Sequence, residues 1–216
     1  MSKAMNTFDW HEFLRRWSRE ILASMEDRIN QLPTEVIESG WLGYPGATEE
    51  LIVQTEVRLQ TTLPPSYRNF LKVSNGWRQT TPFIYRMWSI EEVEWFSIRN
   101  PTWLEQFILE NNEIQQAQSH NNNGLSCPQE ISDRDYFVYG ERQDCSKLRI
   151  EYLRNTLEIS DRGESSIYLL NPQVVTGNGE WEAWFFGDWL PGADRYRSFR
   201  EMMQAEYKIF LELTNT

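Results

Sequence analysis

The chain has 216 residues, 40% of them hydrophobic and 25% charged, and a formal net charge of −11 at pH 7. A chain of this length buries enough apolar surface to fold as a globular protein without a disulfide or a metal. The acidic balance argues against a protein that binds nucleic acid through phosphate contacts, because such proteins cluster Lys and Arg, whereas it is compatible with a basic partner or simply with solubility.

Helical periodicity is the first pattern along the chain, over residues 7–30. The apolar residues recur at steps of three and four, which places them on one face: Trp10, Phe13, Leu14, Trp17, Ile21, Leu22, Met25 and Ile29. Pro33 and the turn residues between Gly40 and Gly46 end this pattern. We therefore predict an N-terminal helical extension over residues 1–40, which either packs on its own domain or is offered to a partner, with packing favoured. The main domain, residues 41–216, is expected to form one compact unit.

Two well-delimited helices follow in residues 46–77. Thr48 suits the N-cap of the first helix, because its hydroxyl can accept a hydrogen bond from a free amide of the first turn. The Pro-Pro dipeptide at 64–65 ends this helix and opens the next, since the residue before a proline is disfavoured in the α region and proline is tolerated in a first helical turn. The Asn-Gly pair at 75–76 then ends the second helix. This segment predicts local structure but contains no catalytic motif.

Strand-forming sequences dominate the rest of the chain. β-favouring residues at 83–90 predict one strand. Four more are predicted, separated by turn-like sequences, at 135–140, 147–153, 166–172 and 180–186.

Two helices interrupt and close this run of strands. One is predicted from Trp103 and ends in the Asn-rich loop 119–124; the other covers 195–213, with Ser198 and Glu201 in a capping-box pattern. The order predicts an α+β fold with a largely antiparallel sheet of about five to six strands, mixed pairing being left open, flanked by N-terminal helices and a C-terminal helix.

The sequence contains no recognisable catalytic motif. The GxSxG, P-loop and GxGxxG patterns are all missing from it. Three carboxylates lie among aromatic residues near position 185, namely Glu180, Glu182 and Asp188. This composition is compatible with the carboxylate pair of a glycosidase. Strand alternation explains these residues without catalysis and is the favoured interpretation. It places Trp181, Ala183 and Phe185 on one face and Glu180, Glu182 and Trp184 on the other.

The sequence also contains few features that indicate a metal site, a cofactor or a cellular compartment. Cys127 and Cys145 do not form a CxxC pair, and with two distant histidines, His11 and His120, they make no zinc-ligand set. Free thiols are favoured, a single disulfide is the alternative, and no metal or cofactor is expected. The N-terminus has no secretory pattern, and no stretch has the apolar length of a membrane span, so we expect the protein in the cytoplasm.

The helix–break–helix segment resembles a known family signature. Gly-Ala-Thr before a helix, Glu-x-x-Leu within it, Leu-Pro at the break, an aromatic residue and Phe-Leu in the next helix, and a final Asn-Gly are similar to the SUKH superfamily. That superfamily includes the yeast Smi/Knr cell-wall regulators and many bacterial immunity proteins. The matching residues are Gly46, Ala47, Thr48, Glu56, Leu59, Leu63, Pro64, Tyr67, Phe70, Leu71, Asn75 and Gly76. The resemblance covers most of residues 41–211 and departs at Trp77, where the family has glycine, and at the helices 7–30 and 101–122.

The resemblance implies a protein-binding domain and not an enzyme. In bacteria it implies an immunity protein that neutralises a polymorphic toxin, often a nuclease; in fungi it implies a scaffold of cell-wall signalling. The acidic composition favours the first, because an acidic surface steers a basic nuclease domain. We therefore expect a basic toxin domain as the partner, with a non-toxin protein partner as the alternative. We expect no contact with nucleic acid or membrane, and a monomer or weak homodimer.

Exposed aromatic residues flanked by acids are the predicted contacts with this partner, because interfaces favour Trp and Tyr anchors. The candidates are Trp77, Trp88, Glu91, Glu92, Glu94, Trp95, Trp184, Asp188 and Trp189. For any single tryptophan of this set, a place in the core is the favoured interpretation.

Overall fold

A computed structural model describes residues 8–25, 32–81, 83–121, 131–163 and 165–214. Its helices are α1 (Trp10–Ser24), α2 (Thr34–Ser39), α3 (Glu49–Leu59), α4 (Pro65–Val73), α5 (Phe96–Arg99), α6 (Pro101–Asn121), α7 (Asp133–Tyr136), α8 (Ile150–Leu153) and α9 (Phe199–Thr214). Its strands are β1 (Trp77–Thr81), β2 (Ile84–Met87), β3 (Glu94–Trp95), β4 (Leu157–Glu158), β5 (Ser166–Val175), β6 (Trp181–Gly187) and β7 (Ala193–Tyr196). The predicted α+β fold is confirmed.

The central sheet is antiparallel throughout, with strand order β3-β4-β5-β6-β7. Its two longest strands, β5 and β6, pair in a register that sets Leu169 opposite Trp184. A second sheet consists of β1 and β2, which form an antiparallel hairpin. The hairpin joins the central sheet where the Trp88 N–H donates to the Ile159 carbonyl at 2.9 Å.

Residues of the family-like signature hold the backbone in place. Thr48 Oγ1 accepts a hydrogen bond from the Leu51 N–H at 3.2 Å and so caps α3. At the break between α3 and α4, the Glu56 carboxylate accepts the Leu63 N–H at 2.8 Å and pairs with Arg68. The signature therefore specifies how two helices meet, which is a structural role.

Two further signature residues fix the entry and exit of this segment. A Cβ at Gly46 would overlap the Lys72 carbonyl, so the close approach of the two backbones requires glycine. Gly76 has a φ of +94°, a conformation that side chains other than glycine rarely adopt. The chain can therefore leave α4 and turn into β1.

Both faces of the central sheet are buried. On one face Trp181, Ala183 and Phe185 of β6 join the larger core, which α1, α4 and α9 cover. On the other face Trp184 and Phe186 join a smaller core under α5, α6 and α8. The predicted alternation along β6 is confirmed, but each set of side chains has its own hydrophobic layer.

Helix α1 packs on the body of the protein. The Trp10 ring lies 5.6 Å from that of Phe70 and 5.4 Å from that of Phe199, measured between centroids. The Leu42 N–H donates to the hydroxyl of Ser18, buried on α1, at 3.1 Å. The favoured interpretation of this helix is therefore confirmed, whereas the division at residues 40 and 41 stays a prediction. Residues 1–7 and 26–31, which include both ends of the predicted helix, lie outside the described residues.

The predictions of strands at 135–140 and 147–153 are wrong. The first segment ends α7 and leads into a 3₁₀ turn over Gly140–Arg142, and the second contains α8. Tyr136 and Tyr139, three residues apart, both donate hydroxyl hydrogen bonds to Glu182, at 2.7 and 2.8 Å. In a strand, residues three apart face opposite sides, so a partner shared by Tyr136 and Tyr139 is inconsistent with strand alternation here.

The remaining differences concern short elements. Strands β1, β3, β4 and β7 were not predicted, and β7 lies in the segment where the last helix was expected to begin. The inserted helix is confirmed as α6 and extends to Asn121, so residues 119–121 of the predicted loop are helical, and 122–124 lie outside the described residues. None of the helices in the described ranges is long and apolar enough to cross a membrane.

Candidate partner-binding surface

Two of the predicted contact tryptophans lie in the core. Trp77 is 0% exposed and its ring packs against Trp41, at 5.4 Å, and Trp17 of α1, at 6.5 Å. Trp184 is also 0% exposed, and its indole N–H donates to Glu182 at 2.7 Å. The expectation that both are exposed is therefore wrong. Trp17 of α1 and Trp41 cover Trp77, and α5, α6 and α8 cover the face of the central sheet that carries Trp184.

Trp189 is an exposed aromatic residue with a fixed orientation. It follows β6 and is 54% exposed. Its indole N–H donates to the Ser166 hydroxyl at 3.0 Å, and its ring lies 5.9 Å from Phe83 and 6.0 Å from Phe185. A ring that is held on one side and open to water on the other loses little conformational freedom when a partner covers it.

Trp88 is half-buried and framed by two arginines. The guanidinium groups of Arg86 and Arg99 lie 4.5 and 5.1 Å from its ring centroid, within the range of cation–π attraction. Its indole N–H donates to buried Glu158 at 3.4 Å. Arg86 in turn pairs with Glu92 at 2.8 Å. Trp88 is therefore part of an ordered charged cluster.

The acidic candidates differ in how far their charge is compensated. Glu92 and Glu94 pair with arginines, and Asp188 pairs with Arg162 at 3.3 Å. Burial works against ionisation of Glu92, but hydrogen bonds from Ser89 and the charge of Arg86 hold its pKa below the ordinary value. Glu92 therefore stays ionised, and all three carboxylates lie beside positive charge.

Glu91 differs from the other three carboxylates. It is exposed and, within the described ranges, has no cation at ion-pair distance. It accepts a hydrogen bond from the Asn75 amide at 2.9 Å, while the Asn75 carbonyl oxygen accepts the Ile90 N–H at 2.7 Å. A signature residue thus positions the least compensated acid of the set.

Strand β2 connects the Trp189 region to the Trp88 region along the chain. Phe83, which contacts Trp189, directly precedes β2, and Tyr85 on β2 is 49% exposed. Arg86 continues the strand toward the acidic turn through its pair with Glu92. We call the candidate residues along β2 and at its two ends the β2 face: Phe83, Tyr85, Arg86, Trp88, Glu91, Glu92, Asp188 and Trp189.

The other two candidates lie on the edge strand β3. Trp95 is half-buried and packs against the larger core. Glu94 pairs with Arg58 of α3 at 3.1 Å, and the same guanidinium donates to the Val93 carbonyl at 2.7 Å. Glu94 therefore ties β3 to α3 in addition to any role at the surface.

The three carboxylates near β6 do not converge on one site. Glu180 accepts hydrogen bonds from the Ser66 N–H and hydroxyl, at 3.0 and 2.6 Å, at the N-terminus of α4. Glu182 is buried against two tyrosines, Asn171 and Trp184. Asp188 is exposed beside Arg162. Each carboxylate has its own partners, so the arrangement does not resemble the facing pair of a glycosidase.

Sequence reasoning missed two further buried acids, Glu158 and Glu206. Burial raises the pKa of each to about 7, against the opposing effect of Arg99 for Glu158 and of the Tyr168 hydroxyl for Glu206. Glu206 could have been found, because it falls on the apolar stripe of α9 with Met202, Met203 and Phe210. Glu158 offered no such signal, since β4 has only two residues.

No metal centre is assembled in the described part of the chain, where no cluster of three or more His, Cys, Asp or Glu side chains could hold an ion. Cys145 has no disulfide partner among the described residues, and its pKa is raised by burial and by nearby Asp194 and Asp144. Cys127 lies outside the described residues, so whether the two cysteines form a disulfide stays a prediction.

The fold and this surface together describe an α+β domain with an ordered aromatic and acidic face. Comparison with protein families matches residues 46–205 to the SMI1 / KNR4 family (SUKH-1). Because this range is well over half of the chain, the protein belongs to that family. Comparison with curated proteins gives no match. Helix α1 precedes the matched range yet packs into the same core.

Proposed function

We propose that this protein is a protein-binding module, without catalytic activity, that recognises its partner through the β2 face. The observation that carries the proposal is Trp189, a large ring fixed by Ser166, Phe83 and Phe185 but 54% exposed. Interfaces concentrate their binding energy in such anchors. Membership in the SMI1 / KNR4 family supports a binding role, and the separation of the carboxylates near β6 argues against a glycosidase.

The partner we propose is a basic toxin domain, which the protein neutralises as an immunity protein in the cytoplasm. The net charge of −11 supports this choice, because it raises the rate at which a basic protein arrives. Glu91 is the acid of the β2 face best placed to contribute, since Glu92 and Asp188 already face arginines. The second candidate is a regulatory scaffold with a non-toxin partner, which membership of the SMI1 / KNR4 family supports equally.

The test begins with capture of the partner. The tagged chain is expressed in its own cell type, and bound proteins are identified by mass spectrometry and sized by light scattering. We expect a complex of one chain with one basic protein. The captured protein is then assayed alone for toxic activity, and again with an equal amount of this chain.

Loss of that activity at one-to-one stoichiometry would support the immunity role. A captured signalling or cell-wall protein with no toxic activity would favour the scaffold. Recovery of the chain alone, as a monomer or homodimer, would contradict the proposal of a protein-binding module for that cell type.

A further inference from the structure

Glu158 of β4 is a buried carboxylate in contact with Trp88 of the β2 face. It is 2% exposed. Three donors from different segments converge on its two oxygens: the Trp88 indole N–H at 3.4 Å, the Arg99 Nε at 3.1 Å and the Asn100 side-chain amide. Arg99 is the last residue of α5, and Asn100 follows it. One carboxylate therefore connects β4, α5 and the end of β2.

Arg99 extends this connection to the turn that carries Glu91 and Glu92. Its guanidinium donates to the Glu92 carbonyl and lies 5.1 Å from the centroid of the Trp88 ring. The Arg99 side chain is nevertheless 31% exposed. Holding an exposed arginine in one position costs conformational entropy, which the charge-assisted contact with ionised Glu158 offsets. The position of Arg99 beside Trp88 therefore depends on the charge of Glu158.

The other charged groups near Glu158 have their own partners within the described residues. The neighbouring strands and the segment after β4 contribute Glu94, Arg86 and Asp161. Their respective partners are Arg58, Glu92, and the N–H groups of Tyr85 and Arg86. On β5 the residue opposite Glu158 is the apolar Leu169, and the first turn of α6 contains no acid. Arg99 is thus the cation that pairs with Glu158.

The charge of Glu158 changes near neutral pH. Burial raises its pKa to about 7, against the opposing effects of Arg99, Trp88 and Asn100. A protonated carboxyl forms no ion pair with Arg99, and its hydrogen bonds are about half as strong as those of a carboxylate. Trp88 and Arg99 are then held less firmly, and the β2 face gains a positive charge that no carboxylate compensates. Both changes disfavour a basic partner.

We propose that Glu158 is a pH-dependent switch of the β2 face. Its ionised form holds Trp88 and Arg99 in the positions seen in the structure, and its protonated form releases them and weakens binding of the basic partner. The change in the positions of these two side chains is a property of the chain alone. The effect on binding rests on the proposed function.

The first test uses the full chain without a partner. Nitrogen–proton NMR spectra follow the Trp88 indole N–H from pH 5 to pH 9, and Trp88→Phe identifies its signal. We expect this signal to shift with a midpoint near pH 7, and the signal of Trp189, which donates to the Ser166 hydroxyl, to stay constant. A Trp88 signal that does not shift over this range would overturn the switch.

Three variants assign the proton. Glu158→Gln does not titrate, so its Trp88 signal should stay constant. Glu206→Gln is the matched control, because Glu206 is a second buried acid with a pKa of about 7, and it should retain the titration. Arg99→Gln changes a partly exposed side chain and should raise the midpoint by about one pH unit, because Arg99 favours ionised Glu158. A titration that persists in Glu158→Gln, or an unchanged midpoint in Arg99→Gln, would overturn the assignment.

The effect on binding is measured with the captured partner at pH 6 and pH 8. We expect the affinity of the native chain, relative to that of Glu158→Gln, to be about fivefold lower at pH 6 than at pH 8. This ratio cancels the titration of the partner itself. A constant ratio would overturn the link between the switch and binding. Failure to capture any partner would contradict the proposed function, whereas the NMR titration would still decide whether Glu158 controls Trp88.

Discussion

Replacing Glu206 by glutamine should remove a pH-dependent loss of stability. Glu206 is 2% exposed on α9, and its carboxylate accepts a hydrogen bond from the Tyr168 hydroxyl at 2.7 Å. Burial raises its pKa from 4.5 to about 7, so the folded protein binds this proton more tightly than the unfolded chain. The contribution of Glu206 to the free energy of unfolding is therefore fully present below pH 4.5 and is lost as the pH rises to 7.

The pKa difference sets the size of this effect. At about 1.36 kcal/mol per pKa unit, the shift corresponds to about 3 kcal/mol in total, of which about 2.5 kcal/mol is lost between pH 5 and pH 8. Glutamine keeps an acceptor for Tyr168 but does not titrate. We therefore expect the stability of the native chain, minus that of Glu206→Gln, to fall by about 2.5 kcal/mol across this range.

Urea unfolding followed by tryptophan fluorescence measures this difference at each pH. Taking the difference between two chains cancels the other titrating groups that they share. Glu212→Gln is the matched control, because Glu212 lies on the same helix but is exposed. A native-minus-variant difference that stays constant from pH 5 to pH 8 would refute the reasoning for Glu206.

Three further substitutions test the structural roles by urea unfolding. Gly46→Ala should cost about 2 kcal/mol, because the new Cβ overlaps the Lys72 carbonyl; native stability would contradict that close approach. Glu180→Ala should cost about 1–2 kcal/mol, because it removes the hydrogen bonds from Ser66 at the start of α4, and an unchanged midpoint would argue against this cap. Trp77→Ala should cost about 3–5 kcal/mol, and a loss under 1 kcal/mol would place Trp77 outside the core.

Apolar periodicity, together with capping, proline and glycine residues at helix ends, predicted the elements that have strong local signals. Helices α1, α3, α4, α6 and α9 carry apolar stripes or end signals, and β5 and β6 are long enough to alternate clearly. The short strands lack such signals. Strands β3 and β4 have two residues each and exist because they pair with each other and with β5, which is information held by distant parts of the chain.

The tryptophan candidates show where local reasoning fails for the surface. Acidic neighbours suggested exposure of Trp184, but an added layer of helices covers the second face of the sheet. Trp77 replaces a glycine of the family-like signature and packs against Trp17 of α1. Helix α1 and Trp77 therefore contact each other in the core, and the sequence of either segment alone does not predict this contact.

The most direct test of the central claim is parallel partner capture with three tagged chains: native, Trp189→Asp and Val57→Asp. Val57 is 72% exposed on α3 and serves as the control for placing a charge at an exposed apolar site. Circular dichroism and urea unfolding first establish that all three chains fold. We predict that the native chain and Val57→Asp recover the same protein partner and that Trp189→Asp loses it. Equal recovery by all three would contradict recognition through the β2 face.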